Sequence, residues 1–379
     1  GDYMYDVNIV KCENYEEENV KQALSSLINL TGGLDWVKPN MNIVIKANLV
    51  TFMKPEQAAT THPSLLCELV KMLVEKGANV IVGDSPGGLY TPAFVNKVYT
   101  STEVEKITKF GGKLNQNFDK KSVTFPEGKV LKDFEYTSYL SDADAIINFC
   151  KLKSHGMMGM SAATKNLFGT IPGTLKSEYH FRFPNHADFA DMLIDLNEYF
   201  KPKLCIVDAI VGMEGNGPTK GTPRHIGALL ASTNPYKLDL ACARIMGLEK
   251  ENVTTLEAAY KRNLIPDSYK KLSCNQDIDA FVIKDYNNIL VHSGILFDDK
   301  PELVKKVITK CLKSTPKLDK SMCIGCKKCY EICPAKAIEF KNNRPHIDRK
   351  KCISCFCCQE FCPVGAMKVK RPLVAKILN

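Results

Sequence analysis

The amino-acid sequence predicts an α/β fold: a mostly parallel sheet with helices on both faces, followed by a small, cysteine-rich α+β unit. Three observations carry this. Val- and Ile-rich runs alternate with helix-period segments over most of the chain, and nine of the sixteen cysteines crowd into Cys323–Cys362. Charge divides in the same place. Residues 320–379 hold thirteen Lys or Arg against four Asp or Glu, a formal +9, whereas residues 1–319 sum to zero. The expected domains are therefore 1–312 and 313–379. With 379 residues, 45% of them hydrophobic, the chain can build one large core and a smaller one. No apolar run reaches the roughly 18 residues of a membrane span. The opening "GDYMYDVNIV" lacks a signal-peptide core. Crowded cysteines in such a chain suggest metal rather than disulfides, and a cytoplasmic setting.

The elements follow in order. "NIVIKANLV" reads as a strand ending near Lys46 and Asn48. "PSLLCELVKMLVEKGA" has helical period, and Pro63 suits a first turn after Thr61 or His62. "NVIVGDSPGG" is a strand closing on Asp84, and "TPAFVNKVYTSTEVEKITKFGG" reads as helical. "ADAIINFCKLKSH" is a buried strand and "FADMLIDLNEYF" a helix. "KLCIVDAIVGMEGNGP" runs from strand into loop, and "HIGALLASTNPYKLDLACARIMG" from strand into helix.

In such sheets the ligand crevice lies beyond the C-terminal strand ends. The residues expected there are Lys46 with Asn48, Asp84, Lys151 with Lys153 and His155, Asp208 with Glu214, and Ser232 with Asn234. Lys151 and Lys153 share one side of an extended chain. Gly156 and Gly159 allow a ligand to approach closely. "SAATKN" starts a helix whose free N–H groups favour an anion, with Ser161 as candidate cap. Met157, Met158 and Met160 form an apolar wall or belong to the core. Lys176, His180, Arg182 and His186 add charge that sequence alone does not assign to ligand or surface. "VGMEGNGPTKGTPRH" reads as a ligand-covering loop whose Glu214 is a candidate acid or base. Neither a GxGxxG fingerprint nor a GxxxxGK[ST] phosphate loop occurs.

"CIGCKKCYEICP" sets Cys323, Cys326, Cys329 and Cys333 at the spacing C-x2-C-x2-C-x3-C-P, and "CISCFCCQEFCP" repeats it with Cys352, Cys355, Cys358 and Cys362. Two-residue gaps point successive thiolates at one cube, and the fourth cysteine leads away to another. Zinc would want two close pairs separated by a longer loop. Residues 318–370 resemble a bacterial two-cluster ferredoxin. That resemblance implies two [4Fe-4S] clusters, one on Cys323, Cys326, Cys329 and Cys362, the other on Cys333, Cys352, Cys355 and Cys358. Cys357 is surplus, either a buried apolar residue or a competitor for iron. "AIEFKNNRPHID" reads as a hairpin, "AMKVKRP" as a further strand, and Gly325 and Gly365 as tight turns. The clusters bring negative charge that the excess lysines partly offset, so nucleic acid is not an expected partner, and without an apolar span neither is a membrane.

Upstream, "KANLV", "AATTHP", "VGDSPGG", "KLKSHGMMGMSAATKNLFGTIPG", "DAIVGMEGNGPTKGTPR" and "NPYKLD" resemble the family catalogued as domain of unknown function 362. The resemblance implies that Lys46, Lys153, His155, Lys165, Asn166, Glu214 and Asp239 are shared pattern positions. It supplies no reaction. At Asn234 the family usually has aspartate.

The expected protein is an iron–sulfur oxidoreductase passing low-potential electrons to a small anionic or conjugated substrate. Lys153, His155 and Glu214 are the catalytic candidates, and Lys46, Asn48, Asp84, Lys151, Lys165 and Asn166 the cofactor- or ligand-binding ones. A soluble ferredoxin or flavodoxin is the expected donor. Electrons arrive at the more exposed cluster, cross to the second and enter the crevice. FMN is a candidate second cofactor, because clusters deliver one electron at a time. The alternative is an electron-transfer or maturation module that docks a larger enzyme. The link "LVKKVITKCLKSTPKLDKSMC", helical in its first half, is short enough to hold one cluster at the crevice.

Overall fold

The computed structural model describes residues 5–289 and 314–370. Seven strands of the large unit form one path: β1 (Asn8–Lys11), β2 (Asn42–Lys46), β3 (Asn79–Gly83), β4 (Lys113–Leu114), β7 (Ala145–His155), β9 (Leu204–Glu214) and β10 (Thr222–Ser232). Their spatial order is β1-β10-β9-β7-β2-β3-β4. The eighth strand, β8 (Gly159–Ser161), folds back on β7 alone, and β5 (Lys120–Thr124) pairs β6 (Asp133–Thr137) in a separate ribbon. The pairs β4–β3, β3–β2, β2–β7 and β7–β9 are parallel, while β9–β10 and β10–β1 are antiparallel.

Alternation along the strands divides the apolar residues between two cores. Ile43, Ile45, Ile147, Phe149, Leu204 and Ile206 face one core. It is covered by α1 (Glu17–Leu30), α2 (Pro63–Glu75) and α3 (Pro92–Ser101). Val44, Ile146, Cys150, Cys205 and Val207 face the other. There α4 (Ala163–Asn166), α5 (Leu175–Arg182), α6 (His186–Phe200), α7 (Pro235–Ile245) and α8 (Thr254–Lys261) supply the cover. The mostly parallel, doubly covered sheet is as the sequence predicts.

Three local readings change. The helix from Pro92 stops at Ser101, where Thr102 turns its hydroxyl back on Val98 O at 2.8 Å and Glu103 takes a left-handed φ of 58° before a 3₁₀ turn. The Gly/Pro-rich stretch is mostly strand, since β9 runs to Glu214 and β10 starts at Thr222, leaving only residues 215–221 as loop. Because β10 is antiparallel, Ser232 pairs with Cys205 at the start of β9. Ser232 and Asn234 therefore lie at the edge opposite the parallel strand ends. Asn234 caps α7, accepting from Tyr236 N at 3.0 Å and Lys237 N at 2.9 Å. Asparagine and aspartate cap equally well, which accounts for the departure from the family's usual residue.

The small unit pairs β11 (Thr315–Leu318) with β14 (Met367–Lys370), and β12 (Ile338–Lys341) with β13 (Arg344–Ile347). Asn342 and Asn343, both at positive φ, make the turn of the expected hairpin. The expected domain boundary at 312/313 and the helical half of the link lie outside the described residues.

Lys151 is a structural residue. Its ammonium lies 2.6 Å from Asp208 Oδ2 across the β7–β9 pair, with both side chains at most 1% exposed. It also donates to Tyr15 OH (2.8 Å) and Val211 O (3.1 Å). Tyr15 donates to Asp208 Oδ1 (2.8 Å), and His62, stacked on the Tyr15 ring, gives its backbone N–H to Oδ2 (3.0 Å). Both carboxylate oxygens of Asp208 are thus hydrogen-bonded, as a buried ion pair requires. Replacing Lys151 with Met should strand the Asp208 carboxylate and cost about 3–5 kcal/mol. A chemical-denaturation midpoint that falls accordingly, and recovers in part when Asp208→Asn is added, is the expected result.

Candidate functional site

Beyond the ends of β2, β3 and β7 lies a cavity of about 600 Å³, of the size typical for small-molecule sites. One side comes from the large unit: Asn48, Asp84, Lys153, His155, Lys165, Asn166, Lys176 and His180. The other comes from the cysteine-rich unit, through Ile332, Cys357, Glu360, Phe361, Cys362 and Pro363. The units are pinned together by the 215–221 loop. Gln359 Nε2 donates to Asn216 O (3.0 Å), and Lys220 Nζ donates to Pro363 O (3.0 Å).

Charge in the cavity is unevenly matched. Lys46 lies beneath it, fully buried, 2.7 Å from Asp84 Oδ1 and donating to Ala47 O (2.7 Å). Asp84 Oδ2 in turn accepts from Leu49 N (2.8 Å), and Asn166 bridges Lys46 O and Asn148 Oδ1. Lys46 is thus neutralised by the chain itself and is no ligand anchor. Lys153 differs, because its partners, Asn48 Oδ1 and Ala59 O (both 2.7 Å), carry no charge. Burial, reinforced by Lys165, draws its ammonium down to about 7. Lys176 donates to Ser85 Oγ (3.0 Å), and burial takes it to about 7 as well. Among the described residues Lys165 makes no hydrogen bond or ion pair, only a cation–π contact 5.2 Å from the Phe168 ring centroid, and burial lowers its pKa too.

The two histidines are neutral. His155 Nδ1 accepts from the backbone N–H of Met157 (3.1 Å) and Met158 (3.2 Å), which fixes the proton on Nε2. Burial lowers it to about 4. Its Nε2 sits 3.2 Å from Glu360 Oε1, near but not aligned as a hydrogen bond. His180, stacked on Phe189, is lowered by burial to about 3, and its Nδ1 has no partner.

Several expectations are corrected here. The short helix α4 does not offer its N-terminus to a ligand. Asp239 on α7 accepts from Ala163 N (2.8 Å) and Thr164 N (3.0 Å), so the anion there is the chain's own, and Ser161 is not the cap. Burial raises the Asp239 carboxyl to about 6 despite these bonds. Lys151 and Asp208 are consumed by each other. Glu214 lies off the cavity, accepting from Asn287 N (3.0 Å). Gly156 makes room for the cysteine-rich unit, since a Cβ would stand 3.1 Å from Val369 Cγ2. At Gly159, with φ 81°, a Cβ would strike Asn252 O at 2.1 Å. The three methionines are all core. Lys176 and His180 join the cavity, whereas Arg182 turns out to the Asp133 carbonyl (3.0 Å).

The cysteines separate four and four around two small, largely apolar voids. Cys323, Cys326, Cys329 and Cys362 line one. Cys333, Cys352, Cys355 and Cys358 line the other. This crossed arrangement is the one that the ferredoxin resemblance implies. The two halves repeat in detail: Ala337 N donates to Cys333 Sγ (3.3 Å) and Ala366 N to Cys362 Sγ (3.1 Å). Such bonds tune cluster potential. All-thiol donor sets ringing voids fit [4Fe-4S] groups, and among the described residues no three metal-binding side chains converge as a single-ion site. Cys357 belongs to neither ring and lines the large cavity instead.

An α/β ligand cavity walled on one side by a cysteine-rich unit defines a class of iron–sulfur protein, and sequence comparison gives the family. Residues 43–244 match the family described as Domain of unknown function (DUF362), and residues 316–369 match a 4Fe-4S dicluster domain. The chain belongs to the DUF362 family and carries an iron–sulfur domain. It is 31% identical over 269 residues to the thylakoid-associated protein sll1697 of Synechocystis, covering 69% of this chain and 80% of that one. Among the described residues no helix is long and apolar enough to cross a membrane. Structural likeness is weaker. The lactate racemase apoprotein of Thermoanaerobacterium thermosaccharolyticum superposes at a TM-score of 0.42 with 15% identity, covering 65% of this chain and 58% of that one. A Thermotoga maritima protein gives 0.39 and 16%, covering 63% and 61%. This chain spans less than two thirds of either solved chain.

Two complete rings predict about eight irons and eight inorganic sulfides per chain in anaerobically purified protein. Cys357→Ser should leave both contents unchanged, whereas Cys358→Ser should lower them.

Proposed function

We propose that the protein is an iron–sulfur oxidoreductase that passes low-potential electrons from two [4Fe-4S] clusters to a small anionic, conjugated substrate in the cavity. Cys362 carries this reading: it belongs to the first cysteine ring and also lines the cavity wall. The same ring contains Cys326, an exposed cysteine. The first ring thus has one member at the surface and one at the cavity wall, which suits entry and delivery of electrons through a single cluster.

When bound, the clusters supply single electrons. The chain's residues do the rest. Lys153, held by two neutral acceptors, directs its remaining capacity toward charge that develops on the substrate. His155 acts as a neutral hydrogen-bond donor through Nε2, because protonating Nδ1 would cost both backbone bonds. Phe361 and Phe168 help exclude water from the cavity. Reducing one conjugated double bond takes two electrons and two protons, so a soluble ferredoxin or flavodoxin delivers twice per turnover. FMN seated against the lysines is a candidate for holding the electron pair. Cluster thiolates suit a reducing, cytoplasmic setting.

The test is anaerobic stopped-flow reoxidation of dithionite-reduced protein against a panel of unsaturated carboxylates and phosphates. One class should reoxidise the clusters rapidly, and Lys153→Met should slow that step by about a hundredfold or more while leaving iron content intact. If no small molecule accelerates reoxidation, and a partner enzyme is reduced instead, the docking-module reading replaces this one. Resolved flavin bands beneath the broad cluster absorption would identify FMN.

A further inference from the structure

We infer that the cavity is built for an organic dianion with a flat apolar body, which deepens the reading of this cavity as the substrate site. Lys153, Lys165 and Lys176 all line it. Asp84 is already committed to Lys46, so the carboxylate left to answer three ammonium groups is Glu360. Counting side chains alone, three lysines thus face one free carboxylate, and the inner cavity reaches an excess of two positive charges when all three are protonated. At its mouth Lys220 and Lys328 outweigh Glu331 by one more. Buried charge without a counter-charge is costly, and a ligand carrying two negative charges removes the cost.

Hydrogen bonding points the same way. His180, only 4% exposed, presents an Nδ1 that no protein group meets. Such a buried polar atom calls for a partner. At the open side Phe52 and Leu89 are 44% and 58% exposed, and Phe52 packs against Phe94 with ring centroids 4.7 Å apart. Large apolar side chains left open at the lip of a charged cavity suit a ligand with an apolar body.

A phosphomonoester and a dicarboxylate share this chemistry. Phenyl phosphate, phthalate and benzoate separate them and provide a monoanion of similar shape. Calorimetric titration of the oxidised holoprotein should show one of the two dianions binding at least about tenfold tighter than benzoate, with Lys165→Met and Lys176→Met each losing about tenfold or more. Between pH 7 and 9 affinity should fall as pH rises, because binding favours the protonated lysines. The groups facing Lys153 and Lys176 are Lys46, Asp84, Cys150, Lys165 and Glu360. Proton uptake, measured in buffers of different ionisation heat, needs no variant and stands even if the substitutions unfold the chain. Equal affinity for benzoate, no saturable binding of either dianion, or binding without proton uptake would overturn the inference. No electron donor is present, so failure here and failure of the reductase reading are separate results.

Discussion

Everything at the end of this sheet depends on how an ammonium group is kept in a dry interior. Five lysines stand on or near the ends of β2 and β7 and on the helices that follow. Two of them, Lys46 and Lys151, meet carboxylates at 2.7 and 2.6 Å. Those two hold the strands in place. The other three, Lys153, Lys165 and Lys176, meet only neutral oxygens or an aromatic face. One chemical group therefore does two jobs, and the presence or absence of a nearby carboxylate decides which. The fold spends its fixed anions, Asp84, Asp208 and Asp239, on internal partners and leaves the cavity electropositive.

The second constraint is that neither unit closes the cavity alone. The parallel strand ends provide a charged floor, and the short helix Cys357–Glu360 with the residues up to Pro363 provides a roof. This is why residues 215–221 matter. Their carbonyls and Lys220 hold the roof at its distance from the floor, a positioning role rather than a chemical one.

Much of this was legible in the sequence, for reasons that differ by element. The cysteine spacing identifies the metal unit because thiolate geometry is local, and residues three apart must share a cube. The parallel strands show as uninterrupted Val/Ile runs because both faces are buried. Lys153, His155 and Asn48 are legible from their place at strand ends, whereas Lys165 is legible only through the family resemblance. Lys46 and Lys151 look the same in sequence, and what separates them from Lys153 is a carboxylate 38 to 57 positions away, Asp84 and Asp208. The Asp239 cap on α4 and the Glu360–His155 contact are longer-range still. The direction of β10 is not legible, because an apolar run does not disclose which way its strand points.

The shared roof also ties two equilibria together. A molecule bound between floor and roof touches both units, so it holds them in register at no added covalent cost. By linkage, whatever steadies the roof would tighten a molecule bound beneath it, and such a molecule would in turn favour the docked arrangement of the two units.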